Sequence, residues 1–244
     1  MITSVQNPIV KSLSKLQTKK YRDQANAFLV EGEHLVIEAQ KANCLNEVYV
    51  TKPHPLFKDA TLLSEHVMKK ITQATSVPNI IGVCTKKIPN KISQRVLFLE
   101  RIQDPGNVGT LLRSALAFGF TTIVTDRCAD LTQPKVMRAT QGALFKLNHL
   151  EMTLSDFIQK APHHHLYATA VHQKNATPKL NPTPPFTLIL GNEGQGLSES
   201  TLQLAHTILT INTENIESLN VATAGTLLMY ALSGQSITAV NNHK

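Results

Sequence analysis

The residues of this chain best suited to chemistry are gathered in three turns. The first is Asp104-Pro105-Gly106-Asn107-Val108-Gly109, with Arg113 six residues beyond Asn107. The others are Gly191-Asn192-Glu193-Gly194-Gln195-Gly196 and Glu217-Ser218-Leu219-Asn220-Val221, a helix and a strand apart. Each follows or closes an apolar run. Glycine lets the main chain approach a ligand closely. Asn, Ser, Glu and Arg bring directed donors and acceptors. Three such segments, far apart in the chain, point to one composite site for a small ligand.

Several chemistries do not fit these residues. The glycines at 191, 194 and 196 are in the wrong order for a dinucleotide fingerprint and lie late in the chain. No Gly-Lys-Ser/Thr is present for a phosphate loop, and no Gly-x-Ser-x-Gly elbow for a serine nucleophile. His163-His164-His165 cannot all face one ion, because adjacent strand residues alternate faces. They also lack carboxylates at ligand spacing. The run reads as a loop entering a strand, and no metal site is expected.

These turns must be held by an alternation of strands and helices. Val96–Leu99, Thr122–Thr125, Leu166–Val171, Thr187–Leu190 and Ile208–Ile211 read as buried strands. Val108–Phe118, part of 135–146, 198–205 and about 219–233 read as helices. That pattern predicts a parallel sheet covered on both faces. Ligands in such sheets bind beyond the carboxyl ends of the strands, where all three turns fall. Before this series, Phe28–Gly32, Val48–Val50 and Ile80–Cys84 read as strands and Gly32–Ala42 as a helix. Residues 1–86 therefore form a smaller α/β unit, and the basic, Pro-containing stretch Lys86–Lys91 reads as the linker.

The N-terminal unit is the basic one. Residues 1–90 hold 12 Lys/Arg against 7 Asp/Glu, whereas residues 91–244 hold 12 against 10. This excess points to a polyanion, most simply nucleic acid. Asn7-Pro8 starts a helix with Ile9, Leu13 and Leu16 as its apolar stripe. Lys11, Lys15, Lys19 and Arg22 fall on another face, at spacings of four, four and three, with Lys20 alongside. That ridge suits phosphate contacts. The three cysteines, Cys44, Cys84 and Cys128, have no metal spacing and fit a reducing compartment. No apolar run reaches the ~20 residues that cross a bilayer, and the first residues have no apolar signal core. A cytoplasmic protein without membrane attachment is expected.

The turns also carry a resemblance. Asp104–Ala115, Leu190–Leu197 and Glu217–Ala222 resemble, in order and spacing, the three motifs of the SpoU/TrmH family of RNA ribose 2′-O-methyltransferases. Thr3-Ser4-x-x-Asn7-Pro8 through Phe28–Gly32 is similar to the substrate-binding domain joined to many members, which looks like RNA-gripping ribosomal proteins. The resemblance implies a SPOUT fold with a parallel sheet and a trefoil knot, a homodimer, and S-adenosylmethionine bound bent within the knot. It implies three segments: an RNA-binding domain at 1–87, a linker at 88–95 and the methyltransferase domain at 96–244. By the same resemblance Arg113, Asn107, Glu193, Ser218 and Asn220 are the catalytic set. Arg113 activates the 2′-hydroxyl, and Glu193 holds Arg113 or the substrate ribose. Ser218 and Asn220 combine helix capping with polar contacts. Leu190, Gly191, Asn192, Gly194, Gly196, Ile211, Ser218, Leu219 and Asn220 would contact the cofactor. Lys11, Lys15, Lys19, Lys20, Arg22 and Arg113 would contact RNA. Residues 222–225 (Ala-Thr-Ala-Gly) would allow tight helix packing. The stretch Ile211–Ile216 is one residue shorter than its family counterpart. The appended N-terminal domain resembles the arrangement in large-subunit rRNA methyltransferases more than in those that modify tRNA, which implies 23S rRNA as the substrate. A tRNA 2′-O-methyltransferase, or a non-catalytic RNA-binding or ribosome-assembly protein on the same fold, is the alternative.

Overall fold

The computed structural model describes residues 1–86, 91–170 and 182–237. Residues 87–90, within the stretch read as the linker, and Val171 of one expected strand lie outside these.

The N-terminal cations do not lie on one helix. The chain forms α1 (Pro8–Lys15), breaks at Leu16–Thr18, and resumes as α2 (Lys19–Ala25). The Asn7 side chain caps α1 by accepting from Ile9 N at 2.9 Å, and Pro8 occupies the first turn. Val10, Leu13 and Leu16 form the buried stripe; Ile9, expected there, is 42% exposed. Ile9 and Val10 both lie within one turn of Leu13, but the face packed against Leu29, Leu63 and Val67 runs through Val10, Leu13 and Leu16 and leaves Ile9 at its edge.

Next come β1 (Ala27–Glu31), α3 (Glu33–Lys41), β2 (Leu45–Val50), β3 (Thr61–Leu62), α4 (Glu65–Ile71) and β4 (Ile80–Thr85). The sheet order is β1-β4-β2-β3, antiparallel except for β2 beside β3.

The second unit runs β5 (Arg95–Glu100), α5 (Pro105–Ala117), β6 (Thr122–Asp126), α6 (Pro134–Thr140), a 3-10 turn (Ala143–Lys146), β7 (Asn148–Glu151), α7 (Leu154–Lys160), β8 (His165–Thr169), β9 (Phe186–Leu190), α8 (Glu199–Leu204), β10 (Thr207–Leu209) and α9 (Val221–Ser233). Its sheet is parallel throughout, in the order β10-β8-β9-β5-β6-β7. The apolar strands are enclosed on both faces: Leu97, Phe98, Leu99, Leu188, Ile189 and Leu190 are all fully buried. The chain builds outward from β5 through β6 to β7. It then crosses to the other side of β5, where β9 pairs with β5 and β8 with β9. That reversal is a topological switch point.

Helix α5 is wedged between α6 and α9. A Cβ on Gly109 would lie 2.3 Å from the Ala139 Cβ, and one on Gly225 would lie 2.5 Å from both Leu111 and Leu190. Ser114 and Thr226 share a 2.7 Å hydrogen bond across the same seam. The small residues expected to permit tight packing do so at buried Ala222 and Gly225, whereas Thr223 is exposed.

The two sheets are joined by apolar packing and ion pairs. Met137 and Phe145 belong to one buried cluster with Phe28, Val30, Leu35 and Val36. Arg138 pairs with the buried Glu31. Arg22, read from sequence as part of the RNA-facing ridge, is only 3% exposed. Its Nε donates to Asp130 at 3.1 Å and its Nη1 to the Leu16 carbonyl at 2.8 Å. The turn between α1 and α2 rotates this side chain inward, so it clamps the two units together instead of meeting RNA. Burial alone would raise the Asp130 carboxyl, but hydrogen bonds from Arg22 and Thr132 outweigh it and hold the group below its ordinary range.

Arg22→Met keeps the bulk but leaves Asp130 partly enclosed without its partner. Urea unfolding should show a loss of about 3 kcal/mol near neutral pH. Because the folded-state Asp130 is depressed, its stabilisation is present above the ordinary carboxyl range and lost on acidification. The gap between wild type and variant should therefore narrow as pH falls below about 4.

Candidate active site

The turn after β5 becomes the start of α5 because Asp104 caps it. Its Oδ1 accepts from Asn107 N at 2.8 Å, with Pro105 in the first turn. The helix thus begins three residues earlier than the apolar spacing alone indicates. The cap fixes Asn107 at the carboxyl edge of the sheet.

The turn after β9 is organised by Asn192. Its Oδ1 accepts from Gly194 N and Gln195 N, both at 3.0 Å, and its Nδ2 donates to the Arg101 carbonyl at 2.9 Å. Its backbone exchanges two hydrogen bonds with Gly196, at 3.1 and 2.9 Å. Two glycines are demanded by this geometry. A Cβ on Gly191 would lie 2.4 Å from Gly196 C and Leu197 N, and Gly196 has φ +67°. Gly194 is not crowded in the same way: a Cβ there meets only the Asn192 Oδ1, at 3.7 Å.

The third turn closes on the first. Asn220 caps α9, its Oδ1 accepting from Ala222 N at 2.8 Å and Thr223 N at 3.3 Å. Its Nδ2 donates to Asn107 Oδ1 at 3.0 Å. Asn107 Nδ2 in turn donates to Glu193 Oε1 at 3.0 Å. One amide therefore ties all three turns together. The cap expected to be shared by Ser218 falls to Asn220 alone, because the helix begins at Val221. Glu193 meets Asn107, Asn192 and the Asp104 amide; its partner is the asparagine of the first turn, not Arg113.

Beside this bridge lies a cavity of about 530 Å³. Leu190, Gly191, Asn192, Gly194, Gly196, Ile211, Ser218 and Leu219 line it, all expected at a cofactor. Asn220 and Arg113 do not. Asn220 is turned toward Asn107, and Arg113 stands exposed on α5. Despite its short loop, Ile211 reaches the cavity wall together with Thr213. The cavity also takes Thr169, the last residue of β8, Ala170 after it, and Leu228 of α9. No local pattern marks these residues, since only the strand order brings β8 beside β9.

Residues 94–230 match the SpoU rRNA Methylase family, and residues 7–95 match the MRM3-like substrate binding domain. The chain belongs to the SpoU family. It is 34% identical, over 96% of its length and 99% of the relative's, to the 23S rRNA (guanosine(2553)-2′-O)-methyltransferase RlmP of Bacillus subtilis. It is 24% identical to mouse mitochondrial rRNA methyltransferase 3, across 88% of this chain and 69% of that one. Among solved structures it is similar to an AdoMet-bound rRNA methyltransferase from Sinorhizobium meliloti. That match has a TM-score of 0.81 and 26% identity, covering 95% of this chain and 96% of the other.

The SpoU cavity here fits the S-adenosylmethionine that the motifs imply. Its volume lies in the small-ligand range of roughly 300–1,000 Å³. Leu190, Leu209, Ile211 and Leu228 make an apolar wall. The backbone of the 191–196 turn and Ser218 supply polar groups. No group of His, Cys, Asp and Glu suited to a metal occurs among the described residues. His164 and His165 are engaged with Thr187 and Thr207 Oγ1, at 3.0 and 2.8 Å. No helix among the described residues is long and apolar enough to cross a membrane.

Gly191→Ala should force the turn off Gly196 and lower S-adenosylmethionine affinity at least about tenfold, or 1.4 kcal/mol, by calorimetry. Asn107→Asp replaces the donor to Glu193 with a like charge. It should destabilise the bridge by about 2 kcal/mol, read by thermal unfolding, and lower methyl transfer more than cofactor affinity.

Proposed function

We propose that this chain transfers the methyl group of S-adenosylmethionine to a ribose 2′-hydroxyl of large-subunit (23S) rRNA. The observation that carries this reading is the Asn107 bridge, which brings the first motif to the mouth of the cavity built from the second and third. The bound cofactor supplies an electrophilic methyl on a sulfonium. The chain's own residues have to enclose that group, position the ribose and ease loss of the hydroxyl proton.

Leu190, Gly191, Asn192, Gly194, Gly196, Ile211, Ser218 and Leu219 are the proposed cofactor contacts. Asn107, Glu193 and Asn220 are assigned to the ribose side, since their side chains meet at the rim. A guanidinium, as at Arg113, offers only donors and is a poor base. Its role is to stabilise the developing alkoxide, or to hold an adjacent phosphate that assists proton loss. Exposed on α5, it is presented to incoming RNA.

The N-terminal sheet, with Lys11 and Lys15 on α1 and Lys19 and Lys20 on α2, is the proposed RNA-binding domain. Lys19 is already paired with Asp23 and Glu151, so Lys11, Lys15 and Lys20 are the freer contacts. The proposed division is 1–87, a linker at 88–95, and 96–244. A trefoil knot formed as the chain after β10 enters α9, a homodimer and a cytoplasmic location complete the reading. The rRNA specificity is supported by the names of the relatives above.

Arg113→Ala should lower kcat about a hundredfold while leaving affinity for S-adenosylmethionine intact and weakening affinity for unmodified 23S rRNA by at most a few-fold, the loss of one phosphate contact. Transfer to tRNA in preference to rRNA would overturn the substrate; RNA binding with no transfer to any RNA would overturn the enzyme.

A further inference from the structure

Two adjacent strands end in the same unusual way. β5 closes with Glu100-Arg101 and β6 with Asp126-Arg127, and Glu100 is paired in register with Asp126. Both arginines are in the left-handed region, at φ +56° and +52°. That conformation disfavours residues with a Cβ, and its occurrence in bulky side chains marks sites where the fold enforces it.

Here the enforcement is visible. Arg101 N donates to the Asp126 carbonyl at 2.8 Å. Asn192 Nδ2 holds the Arg101 carbonyl, and Gln103 Nε2 holds the Arg127 carbonyl at 2.6 Å. Ala129 N donates to the Ile102 carbonyl at 2.9 Å. The two loops are thus zipped together beside the Asp104 cap and the Asn107 bridge.

The two side chains differ in availability. Arg101 is 28% exposed and committed to the buried Glu100. Arg127 is 70% exposed. Its Nε and one terminal nitrogen bind Asp126 at 3.0 and 3.1 Å. This fork fixes the guanidinium plane and leaves further donors facing solvent.

We propose that Arg127 grips a backbone phosphate of the RNA strand flanking the acceptor ribose. This rests on the RNA methyltransferase reading. Arg127 lies on the β6 side of the first turn, whereas the cofactor cavity lies on the β9, β8 and β10 side. An RNA strand crossing the carboxyl edge of the sheet meets the cavity on one side of Asn107 and Arg127 on the other. An oriented guanidinium is the group that matches a phosphate bidentately.

The test is Arg127→Gly, because glycine adopts the left-handed backbone without strain. The variant should fold with an unchanged or higher Tm. Its KM for in vitro transcribed, unmodified 23S rRNA should rise several-fold, with kcat at saturating RNA and S-adenosylmethionine affinity unchanged. The slope of log affinity for that RNA against log salt should fall by about one. Arg127→Lys, which keeps the charge and loses the fork, should fall between. An unchanged KM and salt slope would overturn the assignment, as would a parallel loss of cofactor affinity. The salt slope is read from binding alone. A wild type that binds RNA but transfers no methyl therefore defeats the functional reading without deciding this one.

Discussion

The close approach of α5 to α6 and α9 is the constraint on which the site depends. Gly109 and Gly225 leave no space for a side chain at either seam. Close packing of this kind does not adjust smoothly, so α5 has one position. Asp104 fixes its first turn, and Asn107 leaves that turn at the one place where it reaches both Glu193 and Asn220. The three motif turns meet because a helix packs without slack, and the amide between them then sets their register to about 3.0 Å on each side.

The same rigidity extends to the N-terminal sheet. Met137 of α6 and Phe145 of the following turn sit in the core of that sheet. Arg22 and Arg138 are each paired across the joint with Asp130 and Glu31. The surface of α1 and α2 proposed to meet RNA is thereby held at a fixed offset from the α5 helix that carries Arg113. A buried pair such as Arg22–Asp130 adds little net stability over an apolar contact. Its effect is to specify one arrangement of the two units.

Much of this was legible in the sequence, for identifiable reasons. The parallel sheet follows from apolar runs such as Leu97–Leu99 and Leu188–Leu190, which are too continuous for a half-exposed strand. The three turns stand out because glycine and asparagine are needed where backbone turns sharply, and eight of the nine expected cofactor residues do line one cavity. What was not legible depends on long-range neighbours. Arg22 has the spacing of a surface cation, and only the break at Leu16–Thr18 shows that it faces inward. Thr169 and Ala170 join the site because β9 inserts between β8 and β5, a fact no local pattern carries. Asn220, assigned to the cofactor by its motif, is drawn away by a partner 113 residues distant.

Whether the bridged turns direct a methyl group to ribose oxygen is decided by incubating the purified chain with unmodified 23S rRNA and methyl-labelled S-adenosylmethionine, digesting the RNA to nucleosides and identifying the labelled product. Label is expected in a 2′-O-methyl nucleoside at one position of the RNA. Label in a base-methylated nucleoside, or none above background in protein shown to bind the cofactor, would contradict this reading.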